Sequence, residues 1–430
     1  MLGRFTAAGW EVVDRPQGAN VLLVNTCAFI ESACREAVDS ILELARHKEQ
    51  DPEVRLLVAG CLVQRYGAEL LRDLPEVDLF VGVNDFPRLP GLLTAVASNG
   101  LSRLHCQAPP YPFAGLEPRY PATPPHLAYL KIAEGCSHRC TFCVIPRIRG
   151  PYRSRPLPVL VAEARRLAAQ GVRELILVAQ DTTSYGQDWG GPPGLVELLE
   201  ELARIPELTW IRLLYGHPAR VTDELLAAMA ASPKICPYLD LPIQHGHPEM
   251  LRRMGRSYTP ELVRQLARKV REQLPGATLR TTVMVGFPGE TEEHFAALTE
   301  LVREVRFEHL GIFLYSSENG TPAAGFAPKV PRRVARRRVR LLKEMQAGIV
   351  KKRLRALVGT VQPVLVEGVS RESDYLLSGR LMSQAPDIDG QVYLTAGEGR
   401  VGEIQPVRVT RALPFDLLGE IVAEVETAKR

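Results

Sequence analysis

Residues 134–143 read EGCSHRCTFC and place three cysteines, Cys136, Cys140 and Cys143, within eight positions. A disulfide is disfavoured where thiols stay reduced, and clustered cysteines there usually bind metal or do chemistry. A structural zinc site takes four ligands from two CxxC pairs, and no second pair lies nearby. Three thiolates on one short loop suit three corners of a [4Fe–4S] cube whose fourth iron stays open. The spacing therefore predicts an iron–sulfur cluster; the alternative is that the cysteines are incidental.

Length and composition indicate a globular protein of several domains. The chain has 430 residues, of which 46% are hydrophobic and 24% charged, and a net charge of +4 that is small for this length. So long a chain exceeds one ordinary hydrophobic core. No basic region followed by an apolar run marks a signal peptide, and no apolar stretch is long enough to span a bilayer. We predict a cytoplasmic monomer without membrane contact.

Residues 1–105 are predicted to form a parallel α/β domain. Apolar strands alternate with a helical pattern, in the order NVLLVNTC, ESACREAVDSILELARHKE, VRLLVAGC and DLFVGV. Strand, helix, strand in this order is typical of a parallel sheet. Residues 106–125 then carry too many prolines for regular structure, which predicts a linker.

Residues 126–355 show a second α/β pattern with six predicted strands: LAYLKIAEG, ELILVAQD, WIRLLYG, YLDLPIQ, TLRTTVMVGF and LGIFLYS. Helical stretches between most of them favour a partial parallel (β/α)6 barrel, although the pattern alone also fits an open sheet. A basic helical stretch, RRVARRRVRLLKEMQAGIVKKRLRALVG, follows. Short strands separated by Gly, Pro and Asp turns fill residues 356–430 and predict a small antiparallel β-barrel. The fold class is α/β with this barrel appended.

The three cysteines directly follow the first strand of the central region, where parallel barrels carry their chemistry. Cys136-x3-Cys140-x2-Cys143, with Phe142 before the last cysteine, resembles the signature of radical S-adenosylmethionine enzymes. The resemblance implies that the open iron binds the methionine part of S-adenosylmethionine. It further implies that one electron splits the sulfonium, and that the resulting 5′-deoxyadenosyl radical abstracts hydrogen from a substrate in a dry pocket.

Longer motifs narrow the resemblance to the methylthiotransferases. They span nearly the whole chain: VNTCAFIESA, VAGC, LKIAEGCSHRCTFCVIPRIRGPYRSRP, QDTTSYG, PIQHGHPEMLRRMGR, VGFPGET and YSSENGTPA. The family implies an N-terminal domain with a second [4Fe–4S] cluster, a radical barrel and a C-terminal TRAM domain. One S-adenosylmethionine methylates sulfur at the second cluster and another generates the radical, so that C–H becomes C–SCH3.

Several polar residues end the predicted barrel strands, where the resemblance places S-adenosylmethionine. Ribose and carboxylate contacts are expected from Gln180, Asp181, Arg212 and Gln244, with the backbone of Gly286 in GFPGE close to the cofactor. For GFPGE the alternative is a Gly-Pro turn that ends a strand.

Cys27 and Cys61 match two ligands of the family's second cluster. The family's first ligand, on a loop near the N-terminus, has no counterpart here, and two thiolates hold a [4Fe–4S] cluster poorly. Two interpretations follow. The start codon is assigned too late, which we favour because no other motif has decayed, or the chain cleaves S-adenosylmethionine without inserting sulfur. Cys34 is interpreted as an ordinary helix cysteine.

The family has two branches that act on different substrates, and the chain could belong to either. The branch that modifies an aspartate β-carbon of small-subunit ribosomal protein S12 is favoured by QDTTSYG, PIQHGH and QAPDIDGQVYL. The other branch modifies adenosine in tRNA. Residues 356–430 hold seven Lys and Arg against eleven Asp and Glu, which suits a basic protein better than an RNA.

The predicted partners are therefore S12 or the small ribosomal subunit, with an electron donor such as flavodoxin. The basic helix is a candidate for RNA contact, although most charge runs on helices are solvated faces. A non-enzymatic RNA-binding protein remains an alternative class, but it would not need the three-cysteine loop.

Overall fold

The computed structural model describes residues 1–97, 102–107, 115–370 and 372–423. The chain divides into two compact units. Unit 1 comprises Met1–Ala122, Glu134–Arg153 and Ser316–Gly325, and unit 2 comprises Thr123–Ala133, Ser154–Tyr315 and Phe326–Arg430. Of the predicted linker, residues 108–114 lie outside the described residues.

The helices run in chain order as follows: α1 Leu2–Ala7, α2 Glu31–Gln50, α3 Cys61–Asp73, α4 Leu89–Ala97, α5 Ile145–Arg149, α6 Leu157–Ala169, α7 Leu195–Ala203, α8 Asp223–Ala231, α9 Pro248–Arg253, α10 Pro260–Gln273, α11 Glu292–Val305 and α12 Arg332–Leu357. The strands are β1 Val21–Thr26, β2 Arg55–Gly60, β3 Leu79–Val81, β4 Leu104–His105, β5 Leu127–Lys131, β6 Ala133–Glu134, β7 Arg153–Ser154, β8 Glu174–Val178, β9 Trp210–Leu213, β10 Ile235–Asp240, β11 Thr278–Val285, β12 His309–Leu314, β13 Val361–Ser370, β14 Ser373–Arg380, β15 Val392–Ala396, β16 Ile404–Ala412 and β17 Leu417–Ile421. In the described parts of the chain, no helix combines the length and apolarity needed to cross a bilayer.

Unit 1 is built on a parallel sheet with the strand order β1-β2-β3-β4. Alternate residues of β2 enter different cores: Leu56 and Val58 pack into one, Leu57 and Ala59 into the other. A strand buried on both faces reads as a continuous apolar run, which is why VRLLVAGC is so hydrophobic. The parallel α/β prediction is confirmed. The two-residue β4 was not predicted because so short a strand carries no periodic pattern.

Unit 2 contains the six predicted strands of the central region, all parallel, in the order β12-β11-β10-β9-β8-β5. The sheet order follows the chain order, and helices connect the strands, as a series of βα units requires. The prediction of a partial (β/α)6 barrel is confirmed.

The last part of unit 2 is a closed five-stranded barrel in the order β13-β14-β15-β17-β16. The barrel is confirmed, but it is not wholly antiparallel, since β15 and β17 pair in parallel. The reason is that β16, which lies between them in sequence, pairs with β13 on its other side and thereby closes the barrel. Sequence alternation reports which residues face inward and not which strands pair.

The basic stretch forms α12, a helix of 26 residues. Its buried positions recur at helical spacing and form one stripe along the helix: Ala335, Arg338, Leu342, Gln346, Val350 and Leu354. Arg338 is only 2% exposed and contacts the carboxylates of Glu290 at 3.1 Å and Glu292 at 2.9 Å. Part of the charge run is therefore structural.

Candidate functional site

The three-cysteine loop belongs to unit 1 and precedes α5 along the chain. Cys136 is buried, and Cys140 and Cys143 are half-buried. The backbone N–H of Cys136 donates to the Gly150 carbonyl at 3.1 Å, and that of Cys143 donates to the Cys140 carbonyl at 3.2 Å. Backbone hydrogen bonds thus hold the loop, and three thiols are presented by a short, folded segment that fits three cluster ligands.

Gly135 allows the start of this loop to lie close to the backbone of Gly150 and Pro151. Its φ is +83°, and a Cβ there would overlap the backbone carbonyl oxygen of Pro151. A residue with a side chain would displace the strand end from which the cysteines project.

Cys27 and Cys61 are brought to one edge of the unit 1 sheet by strand register. Thr26, the last residue of β1, pairs with Gly60, the last residue of β2, so the next residue of each chain segment is a cysteine. Gly60 has φ +120°, and a Cβ there would lie 2.5 Å from the Thr26 carbonyl oxygen. Each cysteine directly follows a strand, as predicted.

Sequence reasoning did not find the group that contacts Cys61. Arg149 Nη2 donates to the Cys61 sulfur at 3.1 Å, while Arg149 Nη1 lies 3.0 Å from a Glu134 carboxylate oxygen. Burial raises the pKa of the Cys61 thiol, and the Arg149 guanidinium opposes that effect. Their positions in the sequence could have indicated this contact, because Glu134 and Arg149 flank the three-cysteine loop.

A second unpredicted pair braces the segment after Cys27. Arg65 Nη1 donates to the Ala28 carbonyl at 2.8 Å and contacts the Glu318 carboxylate at 3.0 Å. Glu318 also accepts the backbone N–H of Glu31 at 2.9 Å. The ion pair holds both the start of α2 and the residue next to Cys27. Cys34, on α2, packs against the hydrophobic core.

In unit 2, Gln180 and Asp181 follow β8 but have different surroundings. Gln180 Oε1 is buried and accepts no hydrogen bond from the described residues. The Asp181 carboxylate accepts the Ser184 hydroxyl at 2.6 Å and lies 3.5 Å from Arg220. A buried amide oxygen without a donor costs stability unless a ligand satisfies it, so Gln180 fits a cofactor contact. Asp181 also holds the turn after the strand.

Gln244 and Gly286 lie on neighbouring loops after β10 and β11. Gln244, at φ +62°, donates its N–H to the Thr282 carbonyl at 2.9 Å. The N–H of Gly286 donates to the Glu290 carboxylate, and His245 Nε2 lies 3.5 Å from the same carboxylate. Glu290 therefore joins the PIQH and VGFPGE motifs at the carboxyl ends of their strands.

Arg212 has surroundings that differ from those of the other predicted cofactor-binding residues. Its side chain is fully buried, with Nε 2.7 Å from a Glu174 carboxylate oxygen and Nη1 donating to the Met382 carbonyl at 2.7 Å. Glu174 begins β8, and its carboxylate also pairs with Arg380. These contacts assign Arg212 to an ion-pair network that joins the sheet to the C-terminal barrel within unit 2.

His245 and His309 make the stability of unit 2 depend on pH. Burial lowers the pKa of both imidazoles below the usual value near 6.5. The unfolded chain then binds more protons below about pH 6.5, so stability is complete above that pH and is lost as the pH falls. We expect the free energy of unfolding, measured by urea titration, to fall between about pH 7 and pH 5, by up to about 1.4 kcal/mol per pH unit for each histidine. A flat profile would contradict this expectation, and His245→Asn should reduce the slope.

His247, Glu249 and His294 lie close enough together to bind a metal ion. However, His247 Nδ1 accepts the backbone N–H of Glu249, and His294 Nδ1 accepts that of Thr291. Each neutral imidazole must then carry its proton on Nε2, which leaves no lone pair for a metal. The geometry is that of two helix caps, with His294 also 3.4 Å from Glu249.

Family models match three parts of the chain. They are the radical SAM superfamily over residues 130–302, the uncharacterized protein family UPF0004 over residues 1–82 and the TRAM domain over residues 358–422.

Among solved structures, the radical S-adenosylmethionine methyltransferase TsrM from Kitasatospora setae is similar, with a TM-score of 0.56 and 18% identity. The match covers 81% of this chain and 70% of that one. This likeness concerns the fold alone.

Curated relatives match at much higher identity. Ribosomal protein uS12 methylthiotransferase RimO of Geobacter sulfurreducens is 48% identical, over 98% of this chain and 95% of its own. RimO of Trichlorobacter lovleyi is 47% identical, over 99% and 94%. The chain therefore belongs to the radical SAM methylthiotransferase family, in the branch whose members are named ribosomal protein uS12 methylthiotransferase.

Proposed function

We propose that this enzyme methylthiolates the β-carbon of an aspartate in ribosomal protein uS12, converting C–H to C–SCH3. The observation that carries the proposal is the 48% identity, over 98% of the chain, to a protein of that name. The three-cysteine loop supports it, because radical chemistry needs a cluster with an open iron. When bound there, the [4Fe–4S] cluster supplies the electron that cleaves S-adenosylmethionine.

Cys136, Cys140 and Cys143 would hold this cluster, and Phe142 lies among them in sequence. Gln180, Gln244 and the backbone of Gly286 would position S-adenosylmethionine. Gln180 is the best supported of these, because its buried oxygen has no donor among the described residues. Asp181 would contribute through the turn that it holds.

We further propose a second [4Fe–4S] cluster with Cys27 and Cys61 as ligands and an additional ligand that completes it. Arg149 would keep the Cys61 sulfur oriented and partly balance its negative charge. The second cluster and the role of Arg149 are expectations about this chain. Cytoplasmic localisation, a monomeric state and a flavodoxin-like electron donor are expectations as well.

Recognition of uS12 is attributed to the acidic C-terminal barrel. At the turn before β14 it presents Glu372, and at the start of β14 it presents Asp374, both exposed, beside Tyr375, whose exposure is 97%. Negative charges next to an aromatic ring suit a basic protein segment, which they would attract and contact. RNA would be repelled by the same surface.

The test is to express the chain together with uS12 in a host that lacks its own methylthiotransferase. Intact-mass and peptide analysis should show uS12 carrying SCH3 in place of hydrogen on one aspartate. A Cys140→Ala variant is the control, and it should leave uS12 unmodified. Methylthio-adenosine in tRNA with unmodified uS12 would overturn the proposal in favour of the tRNA branch.

A further inference from the structure

A large basic cleft lies at the opposite end of the unit 2 strands from Gln180, Gln244 and Gly286. Its volume is about 1230 Å³, and it is formed by the ends of α10 and α11, by α12 and by the C-terminal barrel. Thr278, the first residue of β11, and Glu308, just before β12, line it. The cleft therefore opens at the amino ends of the strands, away from the edge where this family's chemistry is expected.

Positive charge dominates this cleft. Arg271, Arg306, Lys352 and Arg353 line it, and Glu308 is the acidic residue among its lining. The Glu308 carboxylate is already shared: it accepts the Leu279 N–H at 2.7 Å and lies 3.3–3.4 Å from Arg353 and Arg271. Arg306 and Lys352 have no carboxylate partner among the described residues. With one carboxylate against four cations, these lining residues carry a net charge of +3.

The cations also crowd each other. Burial together with the neighbouring Arg271 charge lowers the pKa of Arg353 to about 10. Arg353 Nη2 donates to the Thr278 hydroxyl at 2.9 Å, and Nη1 lies 3.3 Å from the Glu308 carboxylate that Arg271 also contacts. An anion in the cleft would relieve this repulsion.

The remaining lining favours a flexible phosphate chain over a single small ligand. The wall is largely aliphatic, with Met345, Ile349 and Leu357 from α12, and none of the described residues that line it is an aromatic on which a base could stack. The volume exceeds the roughly 300–1,000 Å³ of pockets that enclose small ligands. Such a site would contact backbone phosphates without reading sequence.

We propose that this cleft binds the phosphodiester backbone of RNA, with Arg306 and Lys352 as principal phosphate contacts. The basic helix α12 then has two roles. Arg338 stabilises the fold, while Lys352 and Arg353 in its last turns contact the RNA. The proposal concerns a different surface from the one formed by Glu372, Asp374 and Tyr375, so it does not depend on how uS12 is recognised.

The test uses the full chain and a short fluorescent RNA of mixed sequence, with affinity measured by anisotropy between roughly 50 and 200 mM salt. Arg306→Gln/Lys352→Gln should weaken binding about tenfold and reduce the salt slope by about 1.4, the value for two lost contacts to a single strand. The matched control is Arg333→Gln/Arg336→Gln, which removes the same charge from exposed positions in the first turns of α12. It should change affinity less than twofold.

Three outcomes would overturn the proposal. RNA affinity unchanged in the cleft variant would show that the cleft does not bind RNA. Equal losses in both variants would show that only the overall charge matters. Binding of AMP or inorganic phosphate that requires Arg306 and Lys352 and fully displaces RNA at millimolar concentration would identify a small phosphate as the ligand. Because no turnover is measured, failure here leaves the proposed function intact.

Discussion

Replacing Cys136 by alanine is expected to abolish formation of 5′-deoxyadenosine from S-adenosylmethionine. Two thiolates would remain on the loop, and two ligands hold a [4Fe–4S] cluster poorly. After anaerobic reconstitution, the variant should lose about four iron atoms relative to the parent chain. Cleavage of S-adenosylmethionine should drop by at least about a thousandfold, because the electron has no other route to the sulfonium.

Cys106→Ala is the matched control, since this exposed thiol lies outside the three-cysteine loop. It should retain full iron content and cleavage. Cys61→Ala should separate the two halves of the reaction, keeping cleavage of S-adenosylmethionine while losing sulfur insertion into uS12. A Cys136→Ala chain that still cleaved S-adenosylmethionine would refute the assignment of the loop.

Replacing Glu174 by glutamine is expected to destabilise unit 2 by about 3–5 kcal/mol, the usual cost of breaking a buried ion pair from one side. Glu174 is fully buried and contacts both Arg212 and Arg380. These two guanidiniums hold the pKa of the Glu174 carboxyl below its usual range against the opposing effect of burial. Without the carboxylate, Arg212 would keep a buried charge and only a carbonyl acceptor. Urea unfolding followed by circular dichroism measures the loss.

Glu398→Gln is the control, because Glu398 is exposed and should change stability by less than about 0.5 kcal/mol. The double variant Glu174→Gln/Arg212→Met should lose less than the single one, since it removes the stranded charge. Arg380 keeps its second partner, Glu367, at 2.8 Å in either variant. A single-variant loss below about 1 kcal/mol would mean that the network is not a stabilising contact between the sheet and the C-terminal barrel.

Much of the fold was predictable because its signals are local. The six strands of unit 2 were found from apolar runs separated by helical patterns, and period and spacing survive in any short window of sequence. The cysteine loop was found in the same way, since its three thiols lie within eight positions. The two-residue β4 and the parallel pairing of β15 with β17 were not found. Strand β4 is too short to show a periodic pattern of apolar residues. The pairing of β15 with β17 depends on which strands become neighbours, and the alternation of apolar and polar residues does not specify that.

The family, the three loop cysteines and the positions of Cys27 and Cys61 at strand ends were predictable from local sequence patterns alone. Which polar groups contact one another depends on the folded chain. Arg149 reaches Cys61 across 88 residues, and Arg380 reaches Glu174 across 206. Arg212 occupies a strand position as plausible for a cofactor ligand as that of Gln180, yet its charge is committed to Glu174. Such contacts are set by strand register and by packing between segments that are distant in sequence. A buried charge is stable only when it has a partner, and the fold decides which group that partner is.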